Sequence, residues 1–424
     1  MRQVSLGKLV RVAAATTVLG AILVWASPAS AIGLTFTTGD LVVERVGDGT
    51  ATLVNSGNPI FLDEYTPAGT LVGSVSLPTT TTVGGNQAML ESGTATYDGE
   101  MTLSGDGHYL VVSGYNPPAG NTTSLTGTTA TGTPRVTATI DSNANIDSTT
   151  AVTDFASVNN FRSATSASGG VGATFYLSGN TGSPGAGGLS AAADGATTST
   201  NIDNYSGSGE IQDYNGTLYV VSRTKSAGFT VGTFGPPLPT GTATVTPLTG
   251  FPTAVQTSGT VQSPDSIFLT KLNPAGTANP DTIYVADDTT SGGEIQKWSL
   301  VSGTWMFTGA ITASMVRGLT GVVSGSSVTL YGTSSGASST SGALYSATDS
   351  TGFDGTAAGA ATTLVASIPT NETFRGIQLA PIPLPSPAVP ESPLAVLLPL
   401  TAFAVLAGGF LITRRRQAPP RRRD

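Results

Sequence analysis

The sequence contains no cysteine, a single histidine and few charged residues, which make up 10% of its 424 residues. The absence of cysteine excludes disulfide bonds, thiol catalysis and cysteine-based metal sites. The only histidine is His108, and no nucleophile-elbow motif accompanies it, so a serine–histidine–aspartate triad is not expected. His108 follows Gly105-Asp106-Gly107, which is typical of an exposed tight turn. The sequence therefore predicts no catalytic residue and requires no cofactor.

Glycine is abundant instead, with 54 residues, and short apolar segments alternate with turn residues. This composition favours an all-β fold with many turns. Nine of the 18 lysine and arginine residues lie in the two ends of the chain, whereas 25 of the 26 acidic residues lie between them, which leaves a net charge of −16 there. Nucleic acids and anionic membrane surfaces require basic patches, so we expect no nucleic acid to bind.

The first 31 residues have the pattern of a secretory signal peptide. Arg2, Lys8 and Arg11 precede a short apolar stretch, and a small-residue cleavage site ends at Ala31. The alternative is a retained anchor, but the apolar stretch is short for a membrane span. We therefore expect residues 1–31 to be removed and the protein to be exported.

The C-terminal end has the pattern of a membrane anchor. Residues 394–413 carry no charge and, at ~1.5 Å per residue, form a helix long enough to cross a ~30 Å hydrocarbon core. Arginines dominate residues 414–424, which predicts a cytoplasmic tail. We expect residues 382–393 to be a proline-rich linker and residues 32–381 to be held outside the cell membrane. A buried globular helix is the alternative for the apolar segment.

A strand phrase of apolar and aromatic residues recurs six times. It occurs at residues 40–43, 109–112, 174–177, 217–220, 282–285 and 329–331. A period of roughly 50 to 60 residues built from short strands is typical of a β-propeller. The phrase is the second strand of each predicted blade, and the first strands are predicted at residues 100–103, 161–164, 209–212, 266–269, 316–319 and 374–377. The tyrosines of the phrase are expected to pack between blades: Tyr109, Tyr176, Tyr219, Tyr284 and Tyr331.

The first and last repeats complete each other. The N-terminal repeat, residues 39–77, lacks a first strand, whereas residues 374–379 are a first strand without the rest of a blade. We therefore predict an all-β, monomeric propeller of six four-stranded blades, closed by pairing of residues 374–379 with residues 41–43, because closure removes exposed sheet edges. Each blade has roughly 58 residues, more than the ~40–50 of common repeats, so seven blades are the alternative.

Two parts of the chain resemble known bacterial families. Residues 281–288 (DTIYVADD) followed by residues 293–299 (GEIQKWS) resemble secreted propellers of the kelch-like and NHL-like kind. That resemblance implies the architecture and carries over no functional residue. Residues 389–393 (VPESP), followed by the apolar segment and the arginines, resemble the PEP-CTERM tails of bacterial surface proteins. This second resemblance implies a location at the cell surface.

One polar segment is a candidate calcium site. Asp141, Asn143, Asn145 and Asp147 place oxygen atoms at alternate positions, as in the first half of an EF-hand loop. Ile146 stands where that loop needs glycine. The segment is therefore either a weak extracellular Ca²⁺ site or a turn that satisfies its own backbone.

Three arginines are candidates for a ligand site in the channel. Arg162, Arg317 and Arg375 occupy the same position of the first strand in three predicted blades. Because first strands line the central channel of a propeller, three guanidinium groups there could grip an anionic ligand. The alternative is that each arginine pairs with a neighbouring carboxylate and only stabilises the fold.

Two functions are compatible with these features. The anchor, the rigid repeats and the lack of a catalytic set favour a binding or scaffold module for an extracellular protein, glycan or matrix ligand. The alternative is a metal-dependent extracellular hydrolase or lyase that uses the central channel. For that alternative, Asp287, Asp288 and Arg223 stand at equivalent ends of second strands.

Overall fold

The structure is a computed structural model and describes residues 34–180, 187–255, 261, 263–288, 292–335 and 342–385. Within these ranges the regular structure is β-strand, apart from two 3₁₀ turns at Leu125–Gly127 and Lys225–Ala227. No helix in the described ranges is long and apolar enough to span a membrane. The predicted signal peptide, membrane helix and cytoplasmic tail all lie outside the described residues.

The described residues contain 25 strands, numbered in chain order. They are β1 Leu41–Val46, β2 Asn58–Tyr65, β3 Leu71–Ser76, β4 Leu90–Glu91, β5 Thr102–Leu103, β6 Tyr109–Tyr115, β7 Arg135–Asp141, β8 Ile146–Val152, β9 Phe161–Ser166, β10 Thr174–Gly179, β11 Gly188–Ala193, β12 Thr200–Asp203, β13 Ser208–Tyr214, β14 Thr217–Ser222, β15 Val231–Phe234, β16 Thr246–Pro247, β17 Pro264–Thr270, β18 Thr282–Asp287, β19 Glu294–Val301, β20 Thr304–Thr312, β21 Val316–Ser324, β22 Ser327–Ser335, β23 Gly342–Asp349, β24 Thr362–Val365 and β25 Thr373–Leu379.

The strands form four-stranded antiparallel groups of the kind expected for propeller blades. Four groups are separate sheets: β9–β12, β13–β16, β17–β20 and β21–β24. The other nine strands form one sheet, in which β25-β1-β2-β3 and β5-β6-β7-β8 are two such groups joined by the short β4. Among the described residues there are thus six groups, and no further sheet supplies a seventh.

The first and last repeats pair as the sequence predicts. Strand β25 pairs antiparallel with β1, with Leu41 opposite Leu379 and Val43 opposite Ile377. A register shift follows Val43 in this pair. Strands more than 300 residues apart in sequence therefore lie side by side in one sheet.

The first strands of the six groups contact one another in succession. Contacts link β5 to β9, β9 to β13, β13 to β17, β17 to β21, β21 to β25 and β25 to β5. The approach is close: the backbone of Gly376 donates a hydrogen bond to the Gly99 carbonyl at 2.9 Å. A side chain at Gly376 would collide with the backbone of Met101, so only glycine fits at this contact.

The hydrophobic core lies between neighbouring groups. Tyr115, Phe155, Phe161 and Phe175, for example, belong to one buried cluster that joins the β5–β8 group to the β9–β12 sheet. The phrase tyrosines Tyr176, Tyr219, Tyr284 and Tyr331 are buried, which confirms their predicted packing role, whereas Tyr109 is half-buried. Burial of these large rings is the main favourable term in the packing of one group on the next.

The segment before the second group differs from the expectation. The sequence predicted a strand at residues 100–103, but β5 spans only Thr102–Leu103. Residues 92–100 form an irregular segment instead. At its end, the backbone N–H of Glu100 donates a hydrogen bond at 3.0 Å to the Arg162 carbonyl of the neighbouring group. This irregular segment supplies several side chains to the candidate site.

Candidate functional site

The predicted calcium segment forms a hydrogen-bonded turn between β7 and β8. The Asp141 carboxylate accepts bonds from the backbone N–H groups of Asn143 and Asn145 and from the Asn145 side-chain amide, each at 2.9 Å. Asp147 accepts from the backbone N–H and hydroxyl of Thr149. These bonds account for the turn without an ion, and Ca²⁺ binding here stays a prediction. In the described ranges no group of three or more histidine, aspartate or glutamate side chains is arranged to hold a metal.

The three predicted arginines lie near the N-terminal ends of first strands β9, β21 and β25. Arg162 and Arg317 form ion pairs with carboxylates, at 2.9 Å to Asp98 and 2.7 Å to Asp288. Arg375 is fully buried, and its guanidinium donates to backbone carbonyls, including that of Ser92 at 3.0 Å. All three arginines are therefore bonded within the protein, as expected for residues that stabilise the fold.

Tyr97, which the sequence analysis did not single out, brings three arginines together. The guanidinium carbons of Arg223, Arg317 and Arg162 lie 3.2, 4.3 and 5.6 Å from the centre of its ring. Arg223 also contacts Asp265 at 2.9 Å. Because an aromatic face attracts guanidinium groups, one ring holds cations from three separate sheets. We call Tyr97, Arg162, Arg223 and Arg317 the Tyr97 cluster.

Buried carboxyl groups surround the Tyr97 cluster. Burial, reinforced by the charge of Asp265, raises the pKa of Glu100 to about 8. Burial likewise raises the pKa of Asp265 to about 7, against the opposing effect of Arg223. Burial also raises the pKa of Glu44 and Glu210 well above their usual range. Glu100, with a pKa of about 8, is therefore mostly protonated at neutral pH, which lowers the cost of burying these acids together.

The acids predicted as channel candidates are both bonded within the protein. Asp288 accepts the Arg317 guanidinium, and Asp287 accepts the backbone N–H of Ser263 at 3.0 Å. His108 lies in a turn, as expected, but is half-buried, with its Nδ1 3.0 Å from the carbonyl of Ile382. None of these residues lies beside an unpaired nucleophile in the described ranges.

A polar cavity of about 450 Å³ lies toward the C-terminal ends of the first strands, at the opposite end from the Tyr97 cluster. Strands β5, β13, β17, β21 and β25 all contribute to its lining. We call it the strand-end cavity. Its lining includes Gln212, Asp213, Tyr214, Phe268 and Gln378, and neither lysine nor arginine takes part.

Two acceptor atoms on residues that line the strand-end cavity have no hydrogen-bond partner. Asp213 is only 6% exposed; its Oδ1 accepts from the Gly216 backbone at 3.1 Å, but its Oδ2 is unpaired. The side-chain oxygen of the neighbouring Gln212 is also unpaired. Both atoms are buried, and a buried polar atom without a partner is costly, so a ligand in the cavity would gain by bonding to them once these side chains turn toward it.

Sequence reasoning missed the residues at both ends for different reasons. Tyr97 and Asp98 lie in a segment without strand periodicity, and Glu100 was assigned to the predicted first strand 100–103, so none of them was marked as a site residue. Gln212 ends the predicted first strand 209–212 and Asp213 follows it, whereas the observed β13 extends to Tyr214. An alignment of the ends of the six predicted first strands could have placed Gln212 and Asp213 at positions equivalent to Gln378. It would not have shown that these residues line a cavity.

The chain is distantly similar to several solved structures. No family model and no curated protein matches the chain. One of these structures is the hydrazine synthase of Kuenenia stuttgartiensis, with a TM-score of 0.33 and 11% identity. The match covers 56% of this chain and 56% of the hydrazine synthase chain. Others are a Hadza microbial sialidase (TM-score 0.42, 12% identity, 71% of this chain and 62% of that one) and TolB from Acinetobacter baumannii (TM-score 0.41, 9% identity, 82% and 69%).

Proposed function

We propose that the chain is an exported, membrane-anchored β-propeller of six blades that binds an extracellular protein, glycan or matrix ligand in the strand-end cavity. The observation that carries this proposal is the pair of unpaired acceptors, Asp213 Oδ2 and Gln212 Oε1, at a polar cavity of about 450 Å³. A volume in the range of roughly 300–1,000 Å³ with a few convergent polar groups is usual for ligand sites.

Closure into a ring is supported by the ends of the described chain. Strand β25 completes the sheet of β1, and the contacts between first strands run from β5 through β21 to β25 and back to β5. A closed ring places the C-terminal ends of the first strands around one axis. The strand-end cavity would then be one mouth of the central channel.

Export and anchoring rest on the sequence. Residues 1–31 have the order of a signal peptide, and residues 394–413 have the length and apolarity of a membrane span followed by arginines. The tail resembles PEP-CTERM sorting tails, and the repeats resemble kelch-like and NHL-like propellers. In this arrangement the described residues face the extracellular space.

Binding is favoured over hydrolysis by the distribution of paired and unpaired groups. At the other end, Arg162 and Arg317 are bonded to Asp98 and Asp288. The groups that lack partners and line the cavity are an amide and a carboxyl group, and the other acid of the lining, Asp106, already accepts the Ser104 hydroxyl at 2.6 Å. Such a set can hold a ligand but does not by itself assemble an acid–base pair.

The proposal is tested with the immobilised full-length chain and fractions of the native cell envelope, separated into proteins and polysaccharides. We expect one fraction to bind, to be lost in the Asp213→Asn variant, and to be eluted chemically unchanged by mass spectrometry. Asp354→Asn, at an exposed position outside the cavity, is the matched control. Equal capture by Asp213→Asn would contradict the assigned site, and a cleaved ligand would indicate the hydrolase alternative.

A further inference from the structure

We infer that the strand-end cavity binds an uncharged sugar unit of a polysaccharide or glycan, held by hydroxyl groups that bond to Asp213 and Gln212. This inference rests on the proposed binding function and names its ligand class.

The hydrogen-bonding groups of the cavity call for a ligand that both donates and accepts. Asp213 Oδ2 and Gln212 Oε1 are acceptors without donors. Asn215, Gln378 and Asn279 line the same cavity and add amide groups, which offer donors as well as acceptors. A sugar hydroxyl supplies one donor and two acceptor positions on a single atom, so adjacent hydroxyls match a surface of mixed amide and carboxyl groups.

The charge of the cavity argues against an ionic ligand. An anion would find no lysine or arginine in the lining, while Asp106 and Asp213 would repel it. A cation would find two carboxylate groups at most, Asp213 and Asp106, and the Oδ1 atom of Asp106 already accepts the Ser104 hydroxyl at 2.6 Å and the His108 backbone N–H at 3.2 Å. Amides outnumber carboxylates among the polar lining groups, which is the composition expected for an uncharged polar ligand.

Two aromatic residues complete the match. Tyr214 and Phe268 line the cavity and are half-buried, so part of each ring is accessible. The Tyr214 hydroxyl donates to Asn279 Oδ1 at 2.7 Å, which fixes the ring in place. A sugar ring has an apolar face of C–H groups that can pack on such a ring while its hydroxyls reach the polar side chains.

The test uses the full-length chain on an array of neutral, acidic and amine-bearing oligosaccharides, followed by calorimetry with the neutral compound that binds. We expect neutral glycans to bind and Asp213→Asn to weaken the affinity at least about tenfold, since a hydrogen bond to a charged group is lost. Gln212→Leu should weaken it as well. Asp354→Asn, with the same chemical change at an exposed position outside the cavity, should bind like the parent chain.

Three outcomes would overturn the inference. Binding of amines or anions alone, with loss in Asp213→Asn, would contradict the sugar assignment but keep the cavity as a ligand site. Neutral glycans that bind Asp213→Asn and Gln212→Leu as well as the parent chain would place the sugar elsewhere. Protein fractions captured through the cavity, without any glycan binding, would leave the proposed function intact and reject this ligand class.

Discussion

At the scale of single residues, the unusual feature is a tyrosine that contacts three arginines. The Tyr97 ring lies within 3.2 to 5.6 Å of the guanidinium carbons of Arg223, Arg317 and Arg162. Three like charges this close would repel one another, and the ring face and the carboxylates between them offset that repulsion. The hydroxyl contributes less, because it lies 3.5 Å from Asp288. The aromatic ring is therefore the part of Tyr97 that stabilises the cluster.

Replacing the ring should cost stability, and removing only the hydroxyl should not. We expect Tyr97→Ala to lower the free energy of unfolding by about 2 kcal/mol, because three cation–π contacts are lost among desolvated arginines. Tyr97→Phe keeps the ring and should lie within about 0.5 kcal/mol of the parent chain. Urea denaturation midpoints check both values. A Tyr97→Phe variant as unstable as Tyr97→Ala would show that the hydroxyl, not the ring, matters.

The sequence predicted where the three arginines lie in their strands, but it did not predict which residues they contact. Arg162, Arg317 and Arg375 lie near the starts of first strands, because strand periodicity fixes which slot a residue occupies. Their partners, among them Tyr97 and Asp98, come from an irregular segment of another group. No local pattern encodes a contact between segments that lie far apart in sequence.

At the scale of elements, strand β25 joins the two ends of the repeat region. Its Phe374 is fully buried and packs edge-on against Tyr65 of β2, with ring centres 6.0 Å apart. It belongs to a buried cluster that also contains Leu344 of β23, so one side chain ties the first group to the last. The strand that completes the first sheet is thus also part of the core.

Truncating this side chain should be far more damaging than truncating a phenylalanine on an outer strand. We expect Phe374→Ala to lower the free energy of unfolding by about 3–5 kcal/mol, the usual cost of a large core cavity. Phe307→Ala in β20 is the matched control. Phe307 is 42% exposed, so we expect its truncation to lower the free energy of unfolding by about 1 kcal/mol or less. Thermal unfolding of both variants checks the difference. Equal losses would mean that β25 is not held by this cluster.

At the scale of the whole molecule, buried acids gather where the sheets meet. Glu44, Glu100 and Glu210 come from three different groups of strands, and each is buried. Burial raises the pKa of all three, to about 8 for Glu100. The folded state therefore holds protons that the unfolded chain, with ordinary carboxyl pKa values, releases.

The sign of the pH dependence follows from these shifts. Between about pH 4 and pH 8 the folded state binds more protons than the unfolded state, so the free energy of unfolding falls as pH rises through the raised pKa values of about 7 for Asp265 and about 8 for Glu100. We expect the melting temperature to drop by ~5 °C between pH 5 and pH 9. Differential scanning calorimetry measures the drop.

A neutral substitution should reduce this slope. In Glu100→Gln the proton is replaced by a permanent amide, so the melting temperature should change less between pH 5 and pH 9 than in the parent chain. Asp48→Asn, at an exposed position, is the control and should keep the parent slope. A melting temperature that rises over this pH range would contradict the assignment of raised pKa values.

The sequence by itself determined the strands and their grouping. Alternating apolar residues, turn glycines and the recurring tyrosines are local signals, and the pairing of β25 with β1 follows from counting an incomplete repeat at each end. Only the tertiary structure decided which side chains meet at the two ends of the first strands. The Tyr97 cluster and the strand-end cavity each combine residues from several groups, and such convergence depends on the packing of sheets rather than on any local pattern.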